Sequence, residues 1–372
     1  MRALCTQPMS PTDPALQILI DRVHSAQSAG AQLCIHGGAT KAFYGEAPQG
    51  EPLDTRVLAG ISSYEPTELV VTARCGTTLA ELEAVLEEKG QCLPFEPPHF
   101  AQGSTVGGMV ATGLSGPSRA AAGSVRDHVL GATLLNGRGE VLSFGGQVMK
   151  NVAGYDVSRL LAGSMGTLGV ILEVSLKVLP VAPATLTLRL RMEEAEALRQ
   201  LNDWGGQPLP INASTWWAGS LIVRLRGALA AVQAARARLG GEPVEPEHAT
   251  PFWDGLRNQS DEFFVHARAA VDGGAALWRL SVPQRAAPLK LKGEQLIEWG
   301  GAQRWLCSAV PPAAVRDAAL GAGGHATLFM ARDKSAGAFA PLKSPLDRIH
   351  RELKKSFDPS GIFNPGRMYP GL

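Results

Sequence analysis

The 372-residue chain contains no run of eighteen apolar residues, so no stretch of it reads as a membrane-spanning helix. Its opening residues, MRALCTQPMSPTDP, lack the apolar core of a secretory leader. The five cysteines (Cys5, Cys34, Cys75, Cys92, Cys307) are odd in number and scattered, with no CxxC or CxxH spacing. A disulfide framework, a zinc site and an iron–sulfur cluster are therefore unsupported, and reduced thiols fit a cytoplasmic protein. Charge is balanced, 35 basic residues against 34 acidic. That leaves no field to hold a nucleic acid backbone, and no polybasic run flanks an apolar span, so contact with a membrane is expected only peripherally, through partners. No GxGxxG follows the apolar strands at 32–36 and 68–74, and no GxxxxGK[ST] occurs. A Rossmann dinucleotide site and a P-loop are both disfavoured.

What the chain has in excess is glycine: 42 residues, where the usual ~7% would give about 26. They concentrate between 103 and 169. The stretch 97–116, PPHFAQGSTVGGMVATGLSG, is almost all backbone, with His99 its one ionisable side chain. Glycine-rich loops bring bare N–H groups close to a large anionic ligand. Two are candidates, HGGATK (36–41) after a strand and GSTVGGMVATGLSG (103–116) after an extended segment. Either alone is more simply a tight, closely packed turn; together they point to a ligand clasped along its length, such as a dinucleotide. GSMGTLG (163–169) enters a strand from a helix and fits neither nucleotide template.

The pattern predicts a helix over 13–29, with Asp13 as cap, Pro14 at its first position and Gly30 beyond its end. A second spans 77–90, capped by Thr and closed by Gly90, with Leu79, Leu82, Val85 and Leu86 as its stripe. VLGATLLNGRGEVLSFGG (129–146) reads as a hairpin turning at Asn136-Gly137, DVSRLLAGS as a short helix capped by Asp156, and 169–180 as an apolar strand. After Pro180 the texture becomes a β/α alternation: strands at 183–192, INASTWW, SLIVRLR, 276–283, 303–310 and 325–331, separated by helices and by LKGEQLIEWGG and PPAAVRDAALGAGG. Trp216, Trp217, Trp278, Trp299 and Trp305 read as core. The fold class is α+β: a Gly-rich region over 1–180, a smaller α/β domain with an antiparallel sheet over 181–340, and a Pro/Gly-rich tail over 341–372.

The series HGGATKAFYG, ELVVTARCGTTLAELEAVLEEKG, STVGGMVATGLSG, VMKNVAGYD and GSMGTLGVILEVSLKVLP, in that order, resembles the FAD-binding (PCMH-type) domain of vanillyl-alcohol-oxidase-type flavoproteins. EPPHF, AGSVRDHVLG, VMKNVAGYD and the tail FDPSGIFNPGRM are similar to the family of small FAD-binding subunits of glycolate oxidases, the GlcE type. The resemblance covers the first half and the last thirty or so residues. It implies a two-subdomain FAD-binding domain, a cap domain and a tail returning to the FAD domain.

It also implies site residues. His36, Gly37, Gly38, Ala39, Thr40 and Lys41 would hold the FAD diphosphate, Lys41 adding charge if its side chain turns inward. The family often carries Arg or Gly where His36 and Ala39 stand. Its histidyl-linked members carry the linking His where Thr40 stands, so noncovalent FAD is expected. Ser104, Thr105, Gly107 and Gly108 would continue the diphosphate and ribityl contacts. Pro98 and His99 would lie by the ring, Gly113, Ser115 and Gly116 would line the cofactor, and Gly123, Ser124 and Asp127, with His128, would close it. Val170, between Gly169 and Ile171, would run beside the adenine, and Asn364 would return to the isoalloxazine side.

The implied chemistry is oxidation of glycolate, a 2-hydroxy acid, to glyoxylate, alongside a larger FAD-containing subunit and an iron–sulfur subunit that takes the electrons. Such chemistry needs a base for the hydroxyl proton and a cation for the carboxylate. No HxGDGNxH-type metal cluster is present, and His325 as base with Arg332 as clamp are the candidates; no metal is expected. Three alternatives stand beside this reading: an electron-relay subunit, a noncatalytic assembly subunit, and a stand-alone NAD(P)H-dependent flavin reductase.

Overall fold

Asp13 opens the first helix, Pro14–Ala29, by accepting from the Ala15 amide, and Gly30 closes it at φ 63°. Thr78 and Glu81 form a reciprocal capping box at the start of Leu79–Glu87, whose Leu79, Leu82 and Leu86 are buried. The computed structural model describes residues 12–146 and 156–372; Cys5 and residues 148–155 of VMKNVAGYD lie outside the described residues.

The chain divides into two units. One comprises the residues up to Leu114, then Ser124–Pro180 and Pro341–Leu372. Its five-stranded sheet has the order Ile61–Glu65, Val70–Arg74, Val170–Lys177, Val129–Leu135, Val141–Gly145, with every neighbouring pair antiparallel. Beside it, Leu33–His36 pairs in parallel with Glu51–Asp54. One continuous core, from Leu16 through Leu79, Phe95 and Val174 to Phe363, ties sheet and helices together.

The Gly-rich stretch departs from its reading as a loop. Val106–Thr112 is a helix, capped by the Thr105 hydroxyl and ended by Gly113 at φ 63°. Val106, Met109 and Val110 supply the buried face that offsets two helix-weakening glycines. The hairpin forms where Asn136-Gly137 marks it, but its turn is longer. Val129–Leu135 and Val141–Gly145 are the strands, the Asn136 Oδ1 accepts from the Arg138 and Glu140 amides, and positive φ falls at Gly139. Gly137 serves a different contact, since a Cβ there would strike Asp358, whose Cα lies 2.7 Å from that position.

The second unit comprises Ser115–Gly123 and Val181–Ala340, so 115–123 groups apart from the Gly-rich region it was read with. Its eight strands are ordered Glu242–Val244, Ala184–Arg191, Ser220–Gly227, Ile211–Trp217, Glu294–Glu298, Gln303–Ser308, Ala276–Ser281, His325–Met330, all antiparallel. Within LKGEQLIEWGG, read as a connector, Glu294–Glu298 is a strand because Leu296 and Ile297 are buried between two partners. Trp278 and Trp305 are core residues. Trp299 instead holds 115–123: its Nε1 donates to the Gly116 carbonyl at 3.0 Å and the Arg119 guanidinium covers its ring at 4.6 Å.

The tail is fastened within the first unit by a buried ion pair. Lys354, on the helix Leu346–Phe357, donates to Asp358 Oδ2 at 2.7 Å and to the carbonyls of Thr167 and Phe363. Asp358, 1% exposed, also accepts from the Ile362 and Phe363 amides. Asp358→Ala is expected to cost about 3–5 kcal/mol in urea unfolding, because it strands a buried ammonium. Adding Lys354→Met should recover part of that loss; a double variant worse than the sum of the singles would contradict it.

Candidate functional site

Leu33–His36 runs into the turn Gly37–Lys41, and against it lie the start of the Val106–Thr112 helix, the 165–171 segment and the returning tail. Together they line a cleft with a cavity volume of about 130 Å³.

Glycine is required here by contact as much as by conformation. A Cβ on Gly38 would fall on the carbonyl oxygen of Gly103, one on Gly37 on the Thr105 hydroxyl, and one on Gly107 within 2.8 Å of the Cys75 Cβ. The two glycine-rich segments therefore touch backbone to backbone. Three residues with a Cβ adopt positive φ in the cleft, Ala39 at 53°, Met165 at 55° and Asn364 at 42°. Such strain clusters at ligand sites. Asn364 is over-determined: its Oδ1 accepts from the Ile35 amide at 2.7 Å and its Nδ2 donates to the Met165 carbonyl at 2.6 Å.

Two cations line the cleft without a carboxylate partner among the described residues. Lys41 is 7% exposed; its Nζ donates to Ser104 Oγ at 2.5 Å and Thr40 Oγ1 at 3.3 Å and sits 5.7 Å from the centroid of the Phe100 ring. Burial lowers its pKa to about 7. Arg367 is the second. The cleft thiols are neutral: burial pushes Cys75 up to about 12, and raises Cys34 against the opposing charge of Arg367.

Of the residues named from sequence, the cleft brings together His36, Gly37, Gly38, Ala39, Thr40, Lys41, Thr105, Gly107, Gly108 and Asn364, with Gly169 and Ile171. Ser104 stands behind Lys41 as its hydrogen-bond partner. The rest sit elsewhere. Val170 is buried in the core because side chains alternate along its strand, which turns Gly169 and Ile171 to the cleft instead. Pro98 is buried, and His99 Nε2 meets Glu83 Oε2 at 3.1 Å. Gly113 packs on Gly163. Ser124 and Asp127 cap each other, both the amide and the hydroxyl of Ser124 donating to Asp127 Oδ2 at 2.8 Å. His128 is buried against Phe95. Ser115, Gly116 and Gly123 belong to the second unit, as do His325 and Arg332. His325 begins the strand His325–Met330, solvent-exposed. Its pKa is held below the ordinary 6.5 by partial burial and then by the Arg279 charge. Arg332 is exposed, 3.8 Å from Asp272.

Sequence reading missed Cys34, Ile35, Thr112, Met165, Gly166 and Arg367. The signal for Met165 and Gly166 was the three-residue glycine spacing of GSMGTLG, which matches no nucleotide template yet supplies a wall. It is fastened to the Val106–Thr112 helix by Gly163 N–H to Val110 O and Met165 N–H to Ala111 O. Arg367 stood in plain view, three residues after Asn364.

Backbone amides at a glycine turn and two buried basic side chains fit a dinucleotide carrying a diphosphate. Residues 16–145 match the FAD binding domain family, and the chain is a flavoprotein whose cofactor is FAD. Over 356 residues it is 50% identical to glycolate oxidase subunit GlcE of Escherichia coli (strain K12), covering 96% of this chain and 98% of that one. The chain belongs to the GlcE family of glycolate oxidase subunits, FAD-dependent oxidoreductases. It is also 31% identical over 140 residues to glycolate oxidase subunit GlcD of Bacillus subtilis (strain 168), which covers 38% of this chain and 30% of that one. In fold it is similar to alkyldihydroxyacetonephosphate synthase, with TM-score 0.65 and 16% identity over 97% of this chain and 75% of that one.

Because burial holds Lys41 at about 7, an anion beside it must raise that value. Above pH 7 FAD binding is therefore expected to take up a proton, and affinity to fall as pH rises further. Calorimetry in two buffers of different ionisation enthalpy checks this; Lys41→Met should abolish the proton uptake.

Proposed function

We propose that this chain is the FAD-binding subunit of a glycolate oxidase or dehydrogenase complex, which takes glycolate to glyoxylate and delivers the electrons through flavin to partner subunits. The observation that carries the reading is the 50% identity, over nearly the whole length of both chains, with a glycolate oxidase subunit. The partners are a larger FAD-containing subunit and an iron–sulfur subunit, and the chain is cytoplasmic, reaching a membrane only peripherally through them. Among the described residues no helix is long and apolar enough to cross one.

When bound, FAD supplies the acceptor for the hydride equivalent leaving the α-carbon. The chain's own residues do the rest. The backbone amides of Gly37, Gly38, Ala39 and Thr40 hold the diphosphate, with Lys41 behind them. Thr40 offers no imidazole for a covalent link, so FAD is held noncovalently. His325 takes the hydroxyl proton. What supports it is the lowered pKa, which leaves the ring neutral and able to accept at neutral pH. Arg332 pairs with the substrate carboxylate; its loose, exposed contact with Asp272 is easily exchanged.

Purified protein is expected to be yellow, to release its flavin on acid precipitation, and to bleach under anaerobic glycolate, alone or with its partner subunits. Bleaching by NADPH and not by glycolate would replace this reading with a flavin reductase, and protein that takes up no flavin would leave an assembly subunit. His325→Gln should lower glycolate turnover roughly 10²–10⁴-fold with flavin content unchanged. Because the base must be neutral, kcat/KM in the wild type should fall only below pH 6.5. A profile flat to lower pH would remove His325 from the reaction.

A further inference from the structure

Two of the buried arginines among the described residues use their nitrogens differently. Arg304 is fully buried and spends every guanidinium nitrogen on a carbonyl: Nε on Gly301 at 3.2 Å, Nη1 on Ala287 at 2.7 Å, Nη2 on Ala286 at 2.5 Å. Its role is complete within the fold. Arg367 is 7% exposed and is only half used. Its Nη2 donates to the Ala42 carbonyl at 2.8 Å, on the turn that follows Lys41, while Nη1 is buried with no hydrogen-bond partner. It makes no ion pair among the described residues. Glu46 acts on it only from beyond ion-pair distance, and the other group that acts on it, the Cys34 thiol, is neutral. A buried guanidinium with an idle nitrogen is costly to keep. In this chain Arg367 lines the cleft, and Lys41 lines it too without a carboxylate. Two buried basic side chains with no ion-paired carboxylate match a ligand group carrying two negative charges.

We propose that Arg367 is a cofactor-binding residue, its Nη1 donating to a phosphate oxygen of the FAD diphosphate while Nη2 stays on Ala42. This rests on the FAD reading and goes beyond the glycine turn and Lys41. The guanidinium fork allows both contacts at once, since one arm fixes it to the loop that holds the diphosphate and the other is left for the anion. The consequence is that the C-terminal segment contacts the ligand directly as well as supporting the strand beside it.

The test compares FAD, ADP and riboflavin binding to flavin-depleted wild type, Arg367→Met and Arg367→Lys, by calorimetry and flavin fluorescence, with the thermal midpoint of each flavin-free protein. Arg367→Met should weaken FAD and ADP by the same factor, roughly 10- to 100-fold, and leave riboflavin, which has no phosphate, unchanged. Its flavin-free midpoint should stay near wild type, since a stranded charge is removed. Arg367→Lys should fall between, roughly 3- to 10-fold weaker for FAD than wild type, and decides the matter if the methionine variant does not fold. Wild-type affinity for FAD in both variants overturns the assignment alone, as does a riboflavin loss equal to the FAD loss. Wild type that takes up neither FAD nor ADP overturns the FAD reading and this assignment with it.

Discussion

A carboxylate that is 1% exposed, Asp358, decides where one side of the cleft stands. It can be buried only because Lys354 neutralises it and two amides fill its remaining lone pairs. Those amides belong to Ile362 and Phe363, so satisfying the charge also sets the direction of the chain that follows. From there Leu33 N–H reaches the Ile362 carbonyl at 2.7 Å and Asn364 N–H reaches the Leu33 carbonyl at 2.9 Å, which lays the tail along the strand leading into the Gly37–Lys41 turn. Asn364 and Arg367 arrive at the cleft because of that direction.

The cleft itself is built against ordinary stability. Its walls approach so closely that Gly37, Gly38 and Gly107 have no room for a methyl group, three non-glycine residues sit at positive φ, and Lys41 and Arg367 are buried without an ion-paired carboxylate among the described residues. Each of these costs free energy, and a diphosphate relieves the electrostatic part. Sites that break local rules in this way are where selection for binding has outweighed selection for folding.

The legible part of the fold was what local chemistry writes. Asp13, Pro14 and Gly30 bracket a helix, and Thr78 with Glu81 starts another, as their capping chemistry requires. The glycine turn at 36–41 was visible in its composition, and six of the eight strands of the second unit in their apolar patterning. Illegible features depended on distant partners. Gly137 looks like a hairpin glycine, yet it leaves space for Asp358, more than two hundred residues on. Val106–Thr112 looks like a loop because Gly107 and Gly108 are poor helix formers, and nothing local reveals that Gly107 must clear Cys75. Glu294–Glu298 became a strand through its two neighbours, not through its own pattern. The site followed the same divide. The turn was readable, whereas Arg367 matters through a nitrogen left idle, a property no sequence displays.

The stitching of residues 33–35 to 362–364 also sets an order of events during synthesis. Every cleft wall except the tail has been translated by residue 171, and the whole of Val181–Ala340 must then emerge before Asn364 and Arg367 exist. At the usual elongation rate the nascent chain carries an open-sided cleft for about ten to forty seconds. The wall that Asn364 and Arg367 supply thus depends on a segment made long after the glycine turn it faces.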